Sequence, residues 1–361
     1  MKPYYVIGSQ TPRPISRKTL FADGSRDATF RPGIDIDLSH CRPNTTPPAY
    51  KADTSAEICM KYLADSGGDD WDLCVIDHID LDGILSAFTL LHPNIALPHR
   101  NVIIGAASMG DFWDWGDGAA QAFYQSMTRL MNELQQGNTD LQLAYGRCFR
   151  HAIALLRGEI SEHDRQAIRR GQDVLAASTL KISSGQVVRT VAHPHFVHYA
   201  FPRMASLEQL RLALAPPKFN GPLDETAWLH FQARNRLDRE KVQLISIAAE
   251  DGWYFDLWYP GYVWAETPDS WNAPGLTFTG GRDEYSFDHA PLGDAVRALA
   301  ATETAADGEW RLTTIVTPSV TLAGRGFPIV LSFVNEAHRP VPSRLPPKTV
   351  AARLAPCFAA P

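Results

Sequence analysis

Between residues 74 and 86 an apolar run, Cys74-Val75-Ile76, empties into Asp77-His78-Ile79-Asp80-Leu81-Asp82-Gly83 and resumes as Ile84-Leu85-Ser86. Residues two apart on an extended strand share a face, so His78, Asp80 and Asp82 would line up together. Two carboxylates and an imidazole crowded at a strand end repel or desolvate one another unless a cation sits among them. Oxygen-rich ligands with an imidazole favour Mn or Mg, with Zn also compatible. Asp77 would orient His78 or bridge. The alternative reading makes Asp82 a plain helix cap, the usual role of an aspartate just ahead of a helix.

Other residues could join that chemistry. In Gly110-Asp111-Phe112-Trp113-Asp114-Trp115-Gly116-Asp117 the first aspartate, Asp111, is the candidate for a third carboxylate. Asp114 and Asp117 read as caps of the next helix. His40, in Leu38-Ser39-His40, is a candidate acid or extra ligand. Ser86 and the positive helix end at Gly83 would meet an anionic group. In His193-Pro194-His195 the two imidazoles would share a strand face, suited to metal or phosphate contact, although histidines near prolines are more often ordinary loop residues.

The elements that must position these residues read as an α/β unit over residues 1–178. Tyr4–Ile7, Asp72–Ile76 and Asn101–Gly105 look like strands. Thr54 and Glu57 stand in capping-box register ahead of Ile58, Met60, Tyr62 and Leu63. Gly83–Leu91 reads as a helix halted before Pro93. Strand, helix and strand in succession predict a parallel βαβ unit, and Asp111 would then fall at the same sheet edge as Asp80 and Asp82. Gln121–Gln136 is an amphipathic helix, with further helices over 141–156 and 161–177. From about residue 180 the texture changes to a smaller mixed α+β domain, 180–338. Leu180–Val191 alternates like strands, and short helices are expected at Ser206–Leu214 and Glu225–Arg236. An aromatic hairpin is expected over Trp253–Tyr259, turning at Pro260-Gly261 into Tyr262–Trp264, with later strands at Trp310–Leu322 and Ile329–Val334. The proline-rich end, 339–361, reads as an extended tail.

Composition excludes several classes. The chain has 361 residues, 45% of them hydrophobic, enough for a large core and more than one usual domain. Charged residues are 20% and the net charge is -6, so no global basic field would hold nucleic acid, although Arg147, Arg150, Arg157, Arg165, Arg169 and Arg170 cluster in sequence. No stretch approaches the roughly eighteen apolar residues of a membrane span. The N-terminus reads as a first strand and not a secretory signal. The five cysteines include no CxxC pair, which suits free thiols in a reducing cytoplasm. Nucleotide-fold dehydrogenase, P-loop, zincin and α/β-hydrolase signatures are absent.

Asp80-x-Asp82-Gly83, followed by an apolar helix carrying Ser86 and Ala87, resembles the first motif of the DHH phosphoesterases. That resemblance implies aspartates on paired Mn or Mg ions, with Asp111 matching the isolated aspartate of the second motif. The Asp-His-His element that names those enzymes is missing; Asp288-His289 comes too late and reads as a helix start. Gly280-Gly281-Arg282 matches the glycine pair of their second domain only as a turn would. A wider pattern resembles an uncharacterised bacterial family of unknown function: Leu20-x-x-Asp23-Gly24, Leu38-Ser39-His40, Asn44-Thr45-Thr46-Pro47, Asp53-Thr54-Ser55, His78-x-Asp80-x-Asp82-Gly83, Gly110-Asp111-Phe112 and a later Trp310…Thr317-Pro318.

Together these readings lead to an expected metal-dependent hydrolase of a phosphoester or similar small anionic substrate. Metal-activated water would be the nucleophile, with no membrane and room for a homo-oligomer. The rivals are a non-catalytic scaffold that has lost part of its metal set, and a metalloenzyme of other chemistry in specialised metabolism.

Overall fold

The computed structural model describes residues 2–24, 26–68, 70–216, 218–223, 227–280, 285–313, 315–316, 321–322 and 325–359. Gly281-Arg282 and Thr317-Pro318 lie outside them. Strands β1 (Tyr4–Val6), β2 (Thr19–Ala22), β3 (Ile36–Leu38) and β4 (Leu73–Ile76) form a parallel sheet in the order β1-β4-β2-β3. All four strands therefore discharge at one edge, where open α/β sheets gather their ligands. The outer side of β1 is sealed by one amide. Val6 N–H donates to Gln142 Oε1 at 3.0 Å and Gln142 Nε2 donates to the Tyr4 carbonyl at 2.8 Å.

Helix α1 (Ser55–Ser66) starts where its capping pattern predicts, with Thr54 Oγ1 accepting from Glu57 N–H. Helix α2 (Leu81–Leu91) is buried along its whole length. After the short α3 (Pro93–Ala96) come α4 (Arg100–Phe112), α5 (Gly118–Gln136), α6 (Leu141–Leu156) and α7 (Glu162–Ser183). Helices α1, α2, α4, α5 and α6 bury one apolar cluster with Val6, Leu20, Leu38 and Ile76 of the sheet. The other sheet face carries a small apolar cluster of Phe21, Leu73 and Val75, under Tyr5, Ile7 and Phe30.

In the second half, β5 (Val188–His193), β6 (Phe196–Phe201), α8 (Leu207–Leu214), α9 (Phe231–Asp238), β7 (Val242–Ala248), β8 (Trp253–Trp258), β9 (Leu276–Phe278), β10 (Tyr285–Phe287), α10 (Ala290–Thr302) and β11 (Glu309–Leu312) follow in order. Then come β12 (Ile315–Val316), β13 (Thr321–Leu322), β14 (Arg325–Gly326), β15 (Ile329–Val334) and α11 (Pro347–Leu354). The main sheet has the order β11-β15-β8-β7-β6-β5 and is antiparallel except between β6 and β7. Among the described residues no helix is long and apolar enough to cross a membrane.

Several expectations are corrected. Asn101–Gly105 is not a strand but the start of α4. Three β-branched residues favour a strand locally, yet Gly105, Ala106, Ala107 and Gly110 let a helix pack closely against its neighbours, and packing overrides propensity. The parallel partners of β4 are thus β1 and β2. Helix α7 runs unbroken past 178–180, the expected boundary, and β5 begins only at Val188. Of the second helix expected there, Phe231–Asp238 is helical, and Glu225 lies outside the described residues. Tyr262–Trp264 forms turns, not a hairpin arm; β8 pairs with β7 and β15. Residues 347–358 are helical and not an extended tail: Val350, Leu354 and Phe358 make a buried stripe at helical spacing.

The two halves also share a core. Cys41, Phe112 and Trp113 of the first half pack into the apolar cluster of the second.

Candidate metal centre

Three parallel strands deliver one side chain each to the same spot. Asp23 directly follows β2, His40 follows β3 by two residues, and His78 follows β4 by two. Asp23 and Gly24 turn sharply there, with φ of 60° and 65°. Gly24 is required twice over. Its backbone is left-handed, and a Cβ would lie 1.7 Å from Asp77 Oδ1 and 2.8 Å from His78 Nδ1.

The start of α2 supplies two more carboxylates. Asp80, not Asp82, is the cap: its Oδ1 accepts Gly83 N–H at 2.7 Å, while its Oδ2 lies 2.5 Å from His78 Nε2. Asp82 is fully buried and holds the neighbouring helix, accepting the N–H groups of Ser55 at 2.7 Å and Ala56 at 2.9 Å at the start of α1. Asp111 arrives from the end of α4, also fully buried. Its Oδ1 accepts Asn220 Nδ2 at 3.1 Å.

His40 stands at the centre of the cluster. Its Nδ1–H donates to the Asp53 carbonyl at 2.6 Å, which turns Nε2 inward. That nitrogen lies 3.4 Å from Asp111 Oδ2, 3.6 Å from Asp82 Oδ2 and 3.6 Å from Asp23 Oδ1. Yet His40 Nε2, Asp111 Oδ2 and Asp23 Oδ2 make no hydrogen bond. His78 repeats the pattern: Nδ1 is 2.5 Å from Asp77 Oδ1, and Nε2 faces Asp80 Oδ2 at 2.5 Å and Asp23 Oδ2 at 3.4 Å. A histidine held through Nδ1 so that Nε2 points at carboxylates is how proteins orient an imidazole for a metal.

Three groups of side chains have the spacing to hold an ion: Asp23, His40 and Cys41; Asp23, His78 and Asp80; His40, Asp82 and Asp111. Asp23 faces both imidazoles, one oxygen toward each. Around His40 the centre is closed, with Trp264 and Phe112 packed on the ring at centroid distances of 5.3 and 5.6 Å. Around His78, whose side chain is 31% exposed, it is open.

The titration behaviour follows from crowding. Burial, reinforced by Asp23 and Asp111, pushes Asp82 well above the usual carboxylate range. Burial and Asp80 raise Asp111 to about 7. Burial opposes ionisation of Asp23 too, but His78 and His40 beside it outweigh that and hold its carboxyl below the ordinary range. Burial would depress both imidazoles; for His40 Cys41 and Asp111, and for His78 Asp80 and Asp23, reverse the balance and raise them well above 6.5. Without a metal, the cluster must therefore take up protons to relieve its charge. A divalent cation meets the same need, and the donor set of imidazole nitrogens and carboxylate oxygens fits one.

The fold thus brings His40, Asp77, His78, Asp80, Asp82 and Asp111 together. Ser86 is fully buried on α2 and does not reach the open side. His193 closes β5, and His195 stacks on Trp271 with Nδ1 3.0 Å from the Glu240 carbonyl; neither belongs to the three groups. Asp117 caps α5 as expected, whereas Asp114 pairs with Arg239 and Ser108.

Four residues escaped sequence reasoning as members of the site: Asp23, Cys41, Asn220 and Trp264. Asp23 had a signal. Leu20-Phe21-Ala22-Asp23-Gly24 repeats, in another strand, the apolar-then-Asp-Gly texture of the Asp82-Gly83 segment. Asn220 and Trp264 had none, because nothing local relates them to positions more than a hundred residues earlier.

Residues 10–145 match the model of a family of unknown function, DUF6687, in keeping with the uncharacterised family that the motif pattern resembles. No curated protein and no solved structure matches the chain. The likeness to the DHH phosphoesterases therefore rests on Asp80-x-Asp82-Gly83 and its surroundings alone.

Proposed function

We propose that the protein is a metal-dependent hydrolase acting on a phosphoester or similar small anionic molecule. One observation carries the reading: His40 Nε2, its ring 1% exposed, faces three carboxylates without a hydrogen bond. A buried imidazole nitrogen and buried carboxylate oxygens are costly to leave unpaired, and a cation between them removes the cost.

His40, Asp82 and Asp111 would hold a cation on the closed side, and Asp23, His78 and Asp80 one on the open side. A bound divalent cation supplies water made acidic near neutral pH and offsets charge in the transition state. The chain does the rest. Asp77 fixes the orientation of His78 through Nδ1, and Tyr145 Oη–H, donating to the His78 carbonyl at 2.6 Å, fixes its backbone. Trp264 and Phe112 exclude water behind His40. Substrate would enter at His78 and Asp80. The anionic substrate class rests on the phosphoester resemblance of the Asp80-x-Asp82-Gly83 motif.

The test is metal content followed by turnover. Purified protein should carry stoichiometric divalent metal that the double substitution Asp80→Asn, Asp82→Asn removes, and loaded protein should hydrolyse a bis-aryl phosphate. A metal-free wild type that cannot be loaded, or no turnover of mono- and diester probes with Mn, Mg or Zn, would overturn the reading.

A further inference from the structure

We propose that Asn220, from the second half, is a positioning residue of the metal centre: its side-chain amide holds the Asp111 carboxylate so that Oδ2 alone is presented to a cation beside His40 and Asp82. The assignment rests on the reading that the cluster holds metal, and adds to it the group that aims one of the ligands.

The amide has one orientation open to it. Asn220 Oδ1 accepts Leu81 N–H at 3.0 Å, so Nδ2 is the end that faces Asp111, where it donates to Oδ1 at 3.1 Å. A backbone N–H can only donate, which settles oxygen against nitrogen. Asp111 Oδ1 is thereby occupied as an acceptor. Its Oδ2 is left buried and without a hydrogen bond, 3.4 Å from His40 Nε2. His40, Asp82 and Asp111 each offer one atom within reach of a common ion. A carboxylate with both oxygens free can chelate or turn away; one oxygen tied down leaves the other fixed. Partners that orient a ligand in this way commonly set metal affinity by about 10–100-fold.

The surroundings hold that amide in place. Asn220 has a φ of 50°, in the left-handed region that asparagine enters more readily than most residues. Its N–H donates to the Gly110 carbonyl at 3.3 Å, and the carbonyls of Lys218 and Gly221 accept from Trp113 Nε1 and Tyr124 Oη. Gly110 leaves the necessary space, since a Cβ there would lie 2.5 Å from Asn220 Oδ1. The second half also grips the main chain of the ligand: Trp264 Nε1 donates to the Asp111 carbonyl at 3.4 Å. Residues 10–145, which match the family model, thus supply His40, Asp82 and Asp111, while the residue that aims Asp111 lies outside them.

Calorimetric titration of Mn²⁺, and separately of Zn²⁺, into full-length protein freed of metal tests this without reference to turnover. Asp111→Asn identifies the binding phase that uses Asp111. Asn220→Gly, which keeps the left-handed backbone and removes the amide, should weaken that phase about 10–100-fold and any other phase less than about threefold, with the far-ultraviolet dichroism unchanged. Gly110→Ala, which displaces the same amide from the opposite side, should weaken the same phase and stands in if Asn220→Gly fails to fold. Infrared difference spectra, metal-loaded minus metal-free, report the binding mode. The carboxylate band pair missing from Asp111→Asn should show the wide splitting of one-oxygen binding in the wild type and the narrow splitting of a chelate in Asn220→Gly. Narrow splitting in the wild type, unchanged affinity in both variants, or equal weakening of every phase would overturn the inference and leave the metal reading standing. So would metal bound as tightly by Asp111→Asn as by the wild type. A wild type that binds neither ion would sink both.

Discussion

Asp111→Asn should make the metal-free protein more stable, not less. Asp111 is fully buried, and burial with the nearby Asp80 raises its pKa from the ordinary 3.8 to about 7. A group whose folded pKa is raised contributes stability below its unfolded pKa and loses it as the pH climbs through the folded value. Holding a carboxylate in that place above pH 7 therefore costs the folded state about 4 kcal/mol, at about 1.36 kcal/mol per pH unit. Asparagine removes the charge and keeps the shape. Its carbonyl can still accept from Asn220 Nδ2. Urea denaturation in EDTA should show the variant ahead by up to about 4 kcal/mol above pH 8, and by under about 2 kcal/mol near pH 5. Zn²⁺ at a thousand times its Kd should close that gap, because it adds about 4 kcal/mol to the form that binds it. A variant less stable than wild type in EDTA at pH 8.5, or zinc stabilising both equally, would refute the argument that crowded charge is stored there for a cation.

Two further outcomes follow from geometry and from burial. Gly24→Ala should cost more than Gly33→Ala in urea midpoint and should strip metal from the open side. Both glycines are left-handed, but a Cβ at Gly33 meets nothing within 4 Å while one at Gly24 meets Asp77 Oδ1 at 1.7 Å; equal losses would contradict the assigned role of Gly24. His198 is buried in β6, 2.7 Å from Ser246 Oγ, and burial lowers its pKa to about 4. The unfolded chain therefore protonates first as pH falls, so the stability His198 contributes is present above pH 6.5 and is lost down to about pH 4, a loss of about 3 kcal/mol. His198→Gln should flatten the acid limb of the stability curve by that amount, and an unchanged limb would show that His198 is not its source.

Local patterns carried far where the physics is local. The cap at Thr54, the helix after Gly83, the amphipathic run ending at Gln136 and the strand before Asp77 each depend on neighbours within a few residues, and each is present. The charge crowding at His78, Asp80 and Asp82 was legible for the same reason. Asn101–Gly105 failed because β-branched residues carry a strand signal that only its small, tightly packed neighbours could overrule. The placement of Asp111 beside Asp80 and Asp82 was expected from a strand that does not exist; a helix end brings it there instead.

Sequence alone pointed to His40, His78, Asp80, Asp82 and Asp111 as candidate ligands and to a parallel sheet edge that would gather them. Tertiary structure decided the rest: that Asp23 stands between two imidazoles, that Asp82 holds the wrong helix to be a cap, and that Asn220 and Trp264 close the centre from the second half. The division has a physical cause. Capping, turn geometry and hydrophobic period act over one or two turns of chain. The inward aim of His40 Nε2, by contrast, is set by the Asp53 carbonyl behind it and three carboxylates ahead of it, which meet only when separate strands and helices have packed.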